Sequence, residues 1–225
     1  MSSPADMDVY VVDVCGTLVR DDTTLGLLRF HFARTPGRRI RLALFNAMTS
    51  QHSPVRLAFV ILESLTGRHF LKRAAVQLLA GDRAALLGKN AVQYASVLLK
   101  TRRIASVWEL IEQPANGGRV VLASASLEPV IACLASAIGA RHVASQLEEK
   151  DGVLTGRYAK DLTGQKALAI QEKYGEKILN CHFCVISDNF SDRALLEQAD
   201  QAFVVLHCQA HLQRWVGLNA IFLEV

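Results

Sequence analysis

A run of β-branched and aromatic residues, Val9 to Val12, ends in a carboxylate, Asp13, and a Gly-Thr pair follows at positions 16 and 17. Apolar runs of this length that end in a glycine turn are typical of buried parallel strands. In open α/β sheets, ligands bind at the carboxyl ends of the strands. The sequence therefore predicts chemistry at Asp13, because a carboxylate can attack as a nucleophile or hold a divalent cation.

Three further sites place polar side chains at the end of a strand or the start of a helix. Ser124 comes near the end of the apolar run 119–126, and Lys166 lies in a predicted helix over 164–174. The run 181–188 ends on Asp188, and Asp192 follows one helical turn later. Separate strands should bring Asp13 and Asp188 to the same sheet edge, where paired carboxylates suit Mg²⁺.

The segments that carry these residues are DVCGT, VVLAS, TGQK and SDNFSD. In this order they resemble the four motifs of the haloacid dehalogenase (HAD) superfamily, and its phosphoserine-phosphatase-like branch (subfamily IB) is the most similar. The resemblance spans the whole chain, and four motifs in order are far more specific than one. It implies a Rossmann-like α/β core with an inserted helical cap, and Mg²⁺-dependent hydrolysis of a phosphate monoester.

The resemblance also implies a role for each residue. Asp13 accepts the phosphoryl group, and Mg²⁺ is held by the carboxylates of Asp13 and Asp188 and by the main-chain carbonyl of Cys15. Asp192 belongs to the metal site or orients its water ligands. The predicted substrate-binding residues are Gly16, Thr17, Ser124, Ala125 and Lys166. In-line phosphoryl transfer then needs mainly positioning and charge stabilisation.

Cys15 stands where the related enzymes have a second aspartate, which protonates the leaving oxygen and later deprotonates water. With an ordinary pKa of about 8.5, a thiol is mostly neutral at pH 7 and is a poor base for water. The sequence leaves several outcomes open: a slower phosphatase, a phosphotransferase with a persistent aspartyl phosphate, or a degenerate binding protein. The predicted catalytic residues are Asp13, Cys15, Ser124 and Lys166. For Cys15, evolutionary drift to a small buried side chain without a catalytic role explains the residue equally well.

Other residues offer alternatives to these assignments. Ser126 could replace Ser124 as the phosphate ligand, and Lys160 could replace Lys166. A different site, for zinc, is suggested by four residues of the types that bind this metal, Cys181, Cys184, His207 and His211. Zinc binding is disfavoured there, because cysteines three apart on a strand point to opposite faces.

The periodicity predicts alternating strands and helices, and therefore a parallel α/β sheet. Strands are expected at 8–14, 119–126, 142–145, 181–188 and 202–207, with a hairpin around KDG at 150–152. The region from 24 to 99 is helical throughout, with breaks at 35–37, 53–54, 66–67 and 81–82. We assign residues 1–18 and 99–225 to a catalytic core and residues 19–98 to a helical cap.

The charge is distributed unevenly along the chain. Residues 1–110 have 15 Lys+Arg against 8 Asp+Glu, or +7, and the remainder has 10 against 13, or −3. Arginines cluster at 29, 34, 38, 39 and 41 in the predicted cap. The cluster is either a solvated helix face or a surface for an anionic substrate or membrane. Since no nucleic-acid motif accompanies it, nucleic acid is not an expected partner.

The arginine-rich stretch is also similar to the cap of lipid-phosphate phosphatases of the branch, so a lipid head group or a sugar phosphate is an alternative to a small amino-acid phosphate. No apolar run reaches the ~18–20 residues that span a bilayer. The amino terminus lacks the pattern of a signal peptide. The five cysteines suggest reduced thiols. These features predict a soluble cytoplasmic protein.

Overall fold

A computed structural model of the chain describes residues 9–66, 70–117, 119–175 and 182–225. It contains a seven-stranded sheet in the order β4-β3-β2-β1-β5-β6-β7. The strands are β1 (Val9–Val12), β2 (Val120–Leu127), β3 (Arg141–Lys150), β4 (Val153–Lys160), β5 (Phe183–Ser187), β6 (Gln201–Leu206) and β7 (Ile221–Glu224). All neighbouring strands are parallel except β3 and β4, which form an antiparallel hairpin.

The central strand β1 is covered on both faces because its side chains alternate between two apolar cores. Val12 and Val14 pack in the larger core, while Val9 and Val11 pack in the other. This period-2 alternation explains why a strand with no polar residue before Asp13 is stable in the middle of a parallel sheet. The predicted α/β class with a Rossmann-like parallel sheet is confirmed.

Five helices lie between β1 and β2 in the chain: α1 (Thr23–Arg34), α2 (Arg39–Thr49), α3 (Pro54–Thr66), α4 (Phe70–Gln77) and α5 (Ala84–Thr101). Their ends agree with the predicted breaks, apart from residue 67, which lies outside the described residues. Helices α1 to α4 pack on one another, α4 also contacts β4, and α5 packs against both α1 and α7 (Glu128–Ala137). The division into a core and a cap at residues 18/19 and 98/99 stays a prediction.

The remaining helices follow the predicted order, with α6 (Ala105–Asn116), α8 (Lys166–Tyr174) and α9 (Arg193–Gln198). Pro114 lies within the last turn of α6. The short strand predicted at 142–145 is longer, because β3 continues into one arm of the hairpin with β4. Strand β7 was not predicted. None of the helices in the described segments combines the length and the apolar character needed to cross a membrane.

Candidate active site

Parallel register brings the predicted site residues to one edge of the sheet. Val12 of β1 is level with Leu122 of β2 and Ile186 of β5, so Asp13 lies towards the carboxyl edge of the sheet, together with the residues that follow Leu122 and Ile186. The amide of Asp13 donates to the carbonyl oxygen of Ile186 at 2.9 Å. The carboxylate of Asp13 is therefore held at the centre of this edge, between Ser124 on one side and Asp188 on the other.

Lys166 joins two of the predicted carboxylates. Its ammonium lies 2.7 Å from Oδ1 of Asp13 and donates to Oδ2 of Asp192 at 2.8 Å. All three side chains are buried. The hydroxyl of Ser187 also donates to Oδ2 of Asp192 at 2.7 Å. Asp192 therefore anchors Lys166, and its predicted place in or beside the metal site stays a prediction.

Burial and charge oppose each other at Asp13. Burial raises the pKa of Asp13 to about 6, although Lys166 acts against this shift, and the negative charges of Asp192 and Asp188 add to it. For Lys166, burial alone would lower the pKa, but the charges of Asp13 and Asp192 outweigh it, so its pKa is raised. Lys166 is thus a fixed positive charge beside a buried carboxylate whose pKa is raised by its burial.

Asp188 is held against the turn that follows β1. The hydroxyl of Thr17 donates to Oδ1 of Asp188 at 2.9 Å, and the amide of Asp188 donates back to Thr17 Oγ1 at 2.9 Å. Thr17, predicted to bind substrate, therefore forms a reciprocal pair with Asp188. Gly16 has φ +76°, and a Cβ at this position would lie 2.2 Å from Oδ2 of Asp188. Glycine is required here for both reasons.

The donors at this edge fit Mg²⁺. Asp13 and Asp192 share one ammonium, that of Lys166, and Asp188 has the imidazole of His207 3.5 Å from its Oδ2. The three carboxylates therefore carry more negative charge than Lys166 balances, and one divalent cation would offset the difference. Burial raises the pKa of Asp188, as expected for a carboxylate without enough nearby positive charge. Among the described residues no three His, Cys, Asp or Glu side chains converge as a metal site. A main-chain oxygen, such as the carbonyl of Cys15, would have to complete the set of oxygen donors.

Cys15 projects from the same turn into a polar pocket. Its sulfur lies 3.0 Å from Ser126 Oγ and 3.1 Å from Thr23 Oγ1, and it accepts a hydrogen bond from the Thr23 amide at 3.3 Å. Burial, reinforced by the negative charge of Asp22, raises the pKa of the Cys15 thiol. The thiol is therefore neutral at physiological pH.

The contacts distinguish Ser124 from its alternative, Ser126, and Lys166 from its alternative, Lys160. Ser124 is buried and its Oγ accepts from the Ser126 amide at 3.2 Å, whereas the Ser126 hydroxyl contacts Cys15. The carbonyl of Ala125 accepts from Ser145 Oγ at 2.9 Å, which holds this part of β2 against β3. Lys160 forms an exposed pair with Glu172 and does not lie at the site.

Two features of the edge were not predicted. Lys72 of α4 forms an ion pair with Asp22 at 3.0 Å beside Cys15. Burial alone would lower the pKa of Lys72, but the Asp22 charge outweighs it and the pKa is raised. His207 donates to the Gly16 carbonyl oxygen at 2.7 Å. Its place directly after β6 could have been recognised by the rule that identified Asp13, but no local pattern marks Lys72.

The residues considered for zinc do not form a cluster in the described structure. Cys184 is buried in the larger core, and His207 lies at the sheet edge. His211 lies in a 3-10 segment, Gln209–Trp215. Cys181 lies outside the described residues.

Comparison with known proteins agrees with this geometry. The family model for haloacid dehalogenase-like hydrolases matches residues 11–197. No curated protein matches the chain. A protein of unknown function from Bordetella pertussis Tohama I has a similar structure (TM-score 0.70, 16% identity, covering 97% of this chain and 98% of the other).

Two solved structures with described activities also share the fold. Cytosolic 5'-nucleotidase IIIB bound to cytidine has a TM-score of 0.68 at 12% identity, covering 98% of this chain and 80% of the other. A phospho-aspartyl intermediate analogue of phosphoserine phosphatase has a TM-score of 0.60 at 17% identity, covering 96% and 93%. At these identities the likeness concerns the fold.

Proposed function

Since this chain belongs to the haloacid dehalogenase-like hydrolase family, we propose that it is a Mg²⁺-dependent phosphoric monoester hydrolase. It would transfer the phosphoryl group of a small phosphorylated substrate to Asp13 and then to water. One observation supports this most strongly: a buried carboxylate, Asp13, lies 2.7 Å from a buried ammonium, Lys166, at the carboxyl edge of the sheet. This pairing provides a nucleophile and a counter-charge for a phosphate group.

The contacts of Asp13 determine which oxygen attacks. Its Oδ1 accepts from the Val14 amide at 2.8 Å and from Lys166. These bonds occupy Oδ1, so Oδ2 would be the oxygen that attacks the phosphorus atom. Ser124 donates its hydroxyl to a phosphoryl oxygen, and Lys166, anchored by Asp192, offsets the charge that builds up during transfer.

The carboxylates of Asp13 and Asp188 and the carbonyl of Cys15 would hold Mg²⁺. The ion would neutralise charge on the phosphoryl group and so allow one anion to attack another. Thr17 and Gly16 contribute indirectly, because they set the position of Asp188.

Cys15 favours a second candidate, a phosphotransferase. A neutral thiol can donate a proton weakly to a leaving group, but it is a poor base for activating water. The aspartyl phosphate would then persist and could react with an acceptor other than water. Hydrolysis and transfer share the first step and differ only in what accepts the phosphoryl group.

The substrate class follows from charge. Lys72 lies beside Cys15, but its charge is partly neutralised by the ion pair with Asp22. In the arginine cluster, Arg38 and Arg41 both pair with Asp82 and are partly neutralised. A small phosphorylated metabolite is the primary proposal, and an anionic lipid head group stays a prediction.

The test is the Asp13→Asn variant, with Asp151→Asn as its matched control. Asp151 is an exposed hairpin residue at φ +51°, a conformation that asparagine tolerates. Against a panel of phosphate monoesters, Asp13→Asn should lose all turnover and the Mg²⁺-dependent acid-stable phosphoryl adduct that mass spectrometry maps to residue 13. The control should keep both. Full turnover by Asp13→Asn would refute the covalent route.

A further inference from the structure

Helices α2 and α3 expose a large share of the protein's apolar side chains. Of seventeen large hydrophobic side chains exposed among the described residues, eight lie between positions 40 and 65. They are Ile40, Leu44, Val55, Leu57, Val60, Ile61, Leu62 and Leu65. We refer to these eight as the α2–α3 apolar surface. The eight side chains lie on two helices that pack together, and such a concentration of exposed apolar side chains is uncommon on monomeric proteins and marks an interaction site.

Helix α3 is the centre of this surface. None of its residues is buried, although eight of its thirteen side chains are alanine, valine, leucine, isoleucine or phenylalanine. Leu57 is 60% exposed and Leu65 is 78% exposed. The neighbours of α3 are α2 and α4, so it lies on the outside of the helical region. Packing within the folded chain therefore does not explain why a helix of this apolar composition is exposed to water.

The charge around the surface restricts what can cover it. Residues 34–66 contain five arginines and one acidic residue, Glu63. Asp82 pairs with two of these arginines and offsets one charge. The region therefore stays cationic, and Arg39 is exposed beside Ile40. Two copies of this surface would repel each other, whereas an apolar layer covered by negative charge complements it.

Such a layer is the interface of an anionic phospholipid membrane. We propose that the α2–α3 apolar surface docks on membranes that contain anionic phospholipids, with α3 lying along the interface. Helix α3 has 13 residues, and at 1.5 Å per residue it is about 20 Å long, too short for a hydrocarbon core of about 30 Å. Interfacial helices combine apolar side chains with nearby basic ones; here the nearby basic side chains are Arg56 within α3 and Arg39 and Arg41 in α2. The proposal does not depend on the catalytic one.

The experiment measures how the full-length protein partitions onto vesicles. Binding to phosphatidylglycerol/phosphatidylcholine vesicles should exceed binding to pure phosphatidylcholine vesicles and should fall with added salt. The double variant Leu57→Gln/Leu65→Gln should bind at least about tenfold more weakly, since it removes two apolar contacts. The matched control is Leu168→Gln/Leu212→Gln, which changes two other exposed leucines, and it should bind like the natural protein.

A charge variant tests whether the arginines contribute to membrane binding. Arg39→Gln should weaken binding roughly fivefold, about 1 kcal/mol for one arginine at an anionic surface, while Arg157→Gln on exposed β4 should not. All variants should keep the natural activity on a soluble phosphate ester, which shows that they fold and separates this test from the catalytic one.

Several results would overturn the proposal. They are an absence of vesicle binding, equal binding by the leucine double variant and the natural protein, and equal binding to neutral and anionic vesicles. A natural protein that sediments as a dimer, with a monomeric leucine double variant, would show instead that a second copy covers the surface.

Discussion

Replacing Cys15 by aspartate should accelerate turnover. In the structure the sulfur is surrounded by the Ser126 hydroxyl, the Thr23 hydroxyl and the Thr23 amide at 3.0–3.3 Å. A carboxylate at this position would find the same groups as hydrogen-bond donors. It would thus be oriented without rearrangement of the turn and would provide the base that a neutral thiol cannot.

The size of the gain follows from the surroundings of residue 15. General acid–base assistance is typically worth ~10²–10⁴-fold in rate. Burial and the charge of Asp22 raise the pKa of the thiol, while Lys72 and the hydrogen bond with Ser126 act against them. With the same balance, the pKa of a carboxyl group at this position would also be raised, towards the operating pH. The added negative charge beside Asp13 would oppose this benefit. We therefore expect an increase in kcat of about 10²-fold, the lower end of that range.

The assay is rapid-quench hydrolysis of p-nitrophenyl phosphate. The natural protein should release one equivalent of nitrophenol per active site in a burst and then turn over slowly, because breakdown of the aspartyl phosphate is limiting. Cys15→Asp should lose the burst and gain steady-state rate. Cys15→Asn matches the shape of aspartate without its charge and should behave like Cys15→Ala, with little change.

Two results would contradict this reasoning. A loss of most activity in Cys15→Ala would show that the thiol takes part in the reaction. If Cys15→Asp gained nothing and the natural protein showed no burst, either another group would already act as the base or the site would not be hydrolytic.

Three further predictions concern the edge and its supports. Gly16→Ala should lower Mg²⁺ affinity at least about tenfold in calorimetry, because its Cβ would lie 2.2 Å from Oδ2 of Asp188, a proposed metal ligand. The control Gly37→Ala, at a similar φ of +78° with open space around it, should not lower the affinity. Lys166→Met should reduce kcat by ~10²–10³-fold, while Lys160→Met should leave it unchanged in the same ester assay. Burial lowers the pKa of His31, so just below pH 6.5 the unfolded chain binds a proton that the folded protein does not. The free energy of unfolding should therefore fall as the pH drops below about 6.5, by at most about 1.4 kcal/mol per pH unit. In urea unfolding this slope should be smaller for His31→Gln, and an unchanged slope would assign it to other groups.

Much of the fold follows from local patterns. The apolar run before Asp13 and the run before Asp188 each predict a buried parallel strand, and the structure contains both. Helix breaks were predictable where proline and glycine interrupt the periodicity. Strand β7 was not predicted: it is as short as β1, but its residues IFLE include one β-branched side chain and form an edge strand that pairs with β6.

The candidate site divides in the same way. The sequence by itself determined that Asp13, Ser124 and Asp188 reach one edge of the sheet, because a strand's alternation and its end are local properties of the chain. Only the tertiary structure decided the partners: Thr17 bonds Asp188, Asp192 anchors Lys166, and Lys72 approaches from α4. These pairs join residues far apart in the sequence, and their geometry depends on how helices and strands pack. The exposure of α3 also depends on the tertiary structure, because the sequence of an apolar helix does not show whether another element covers it.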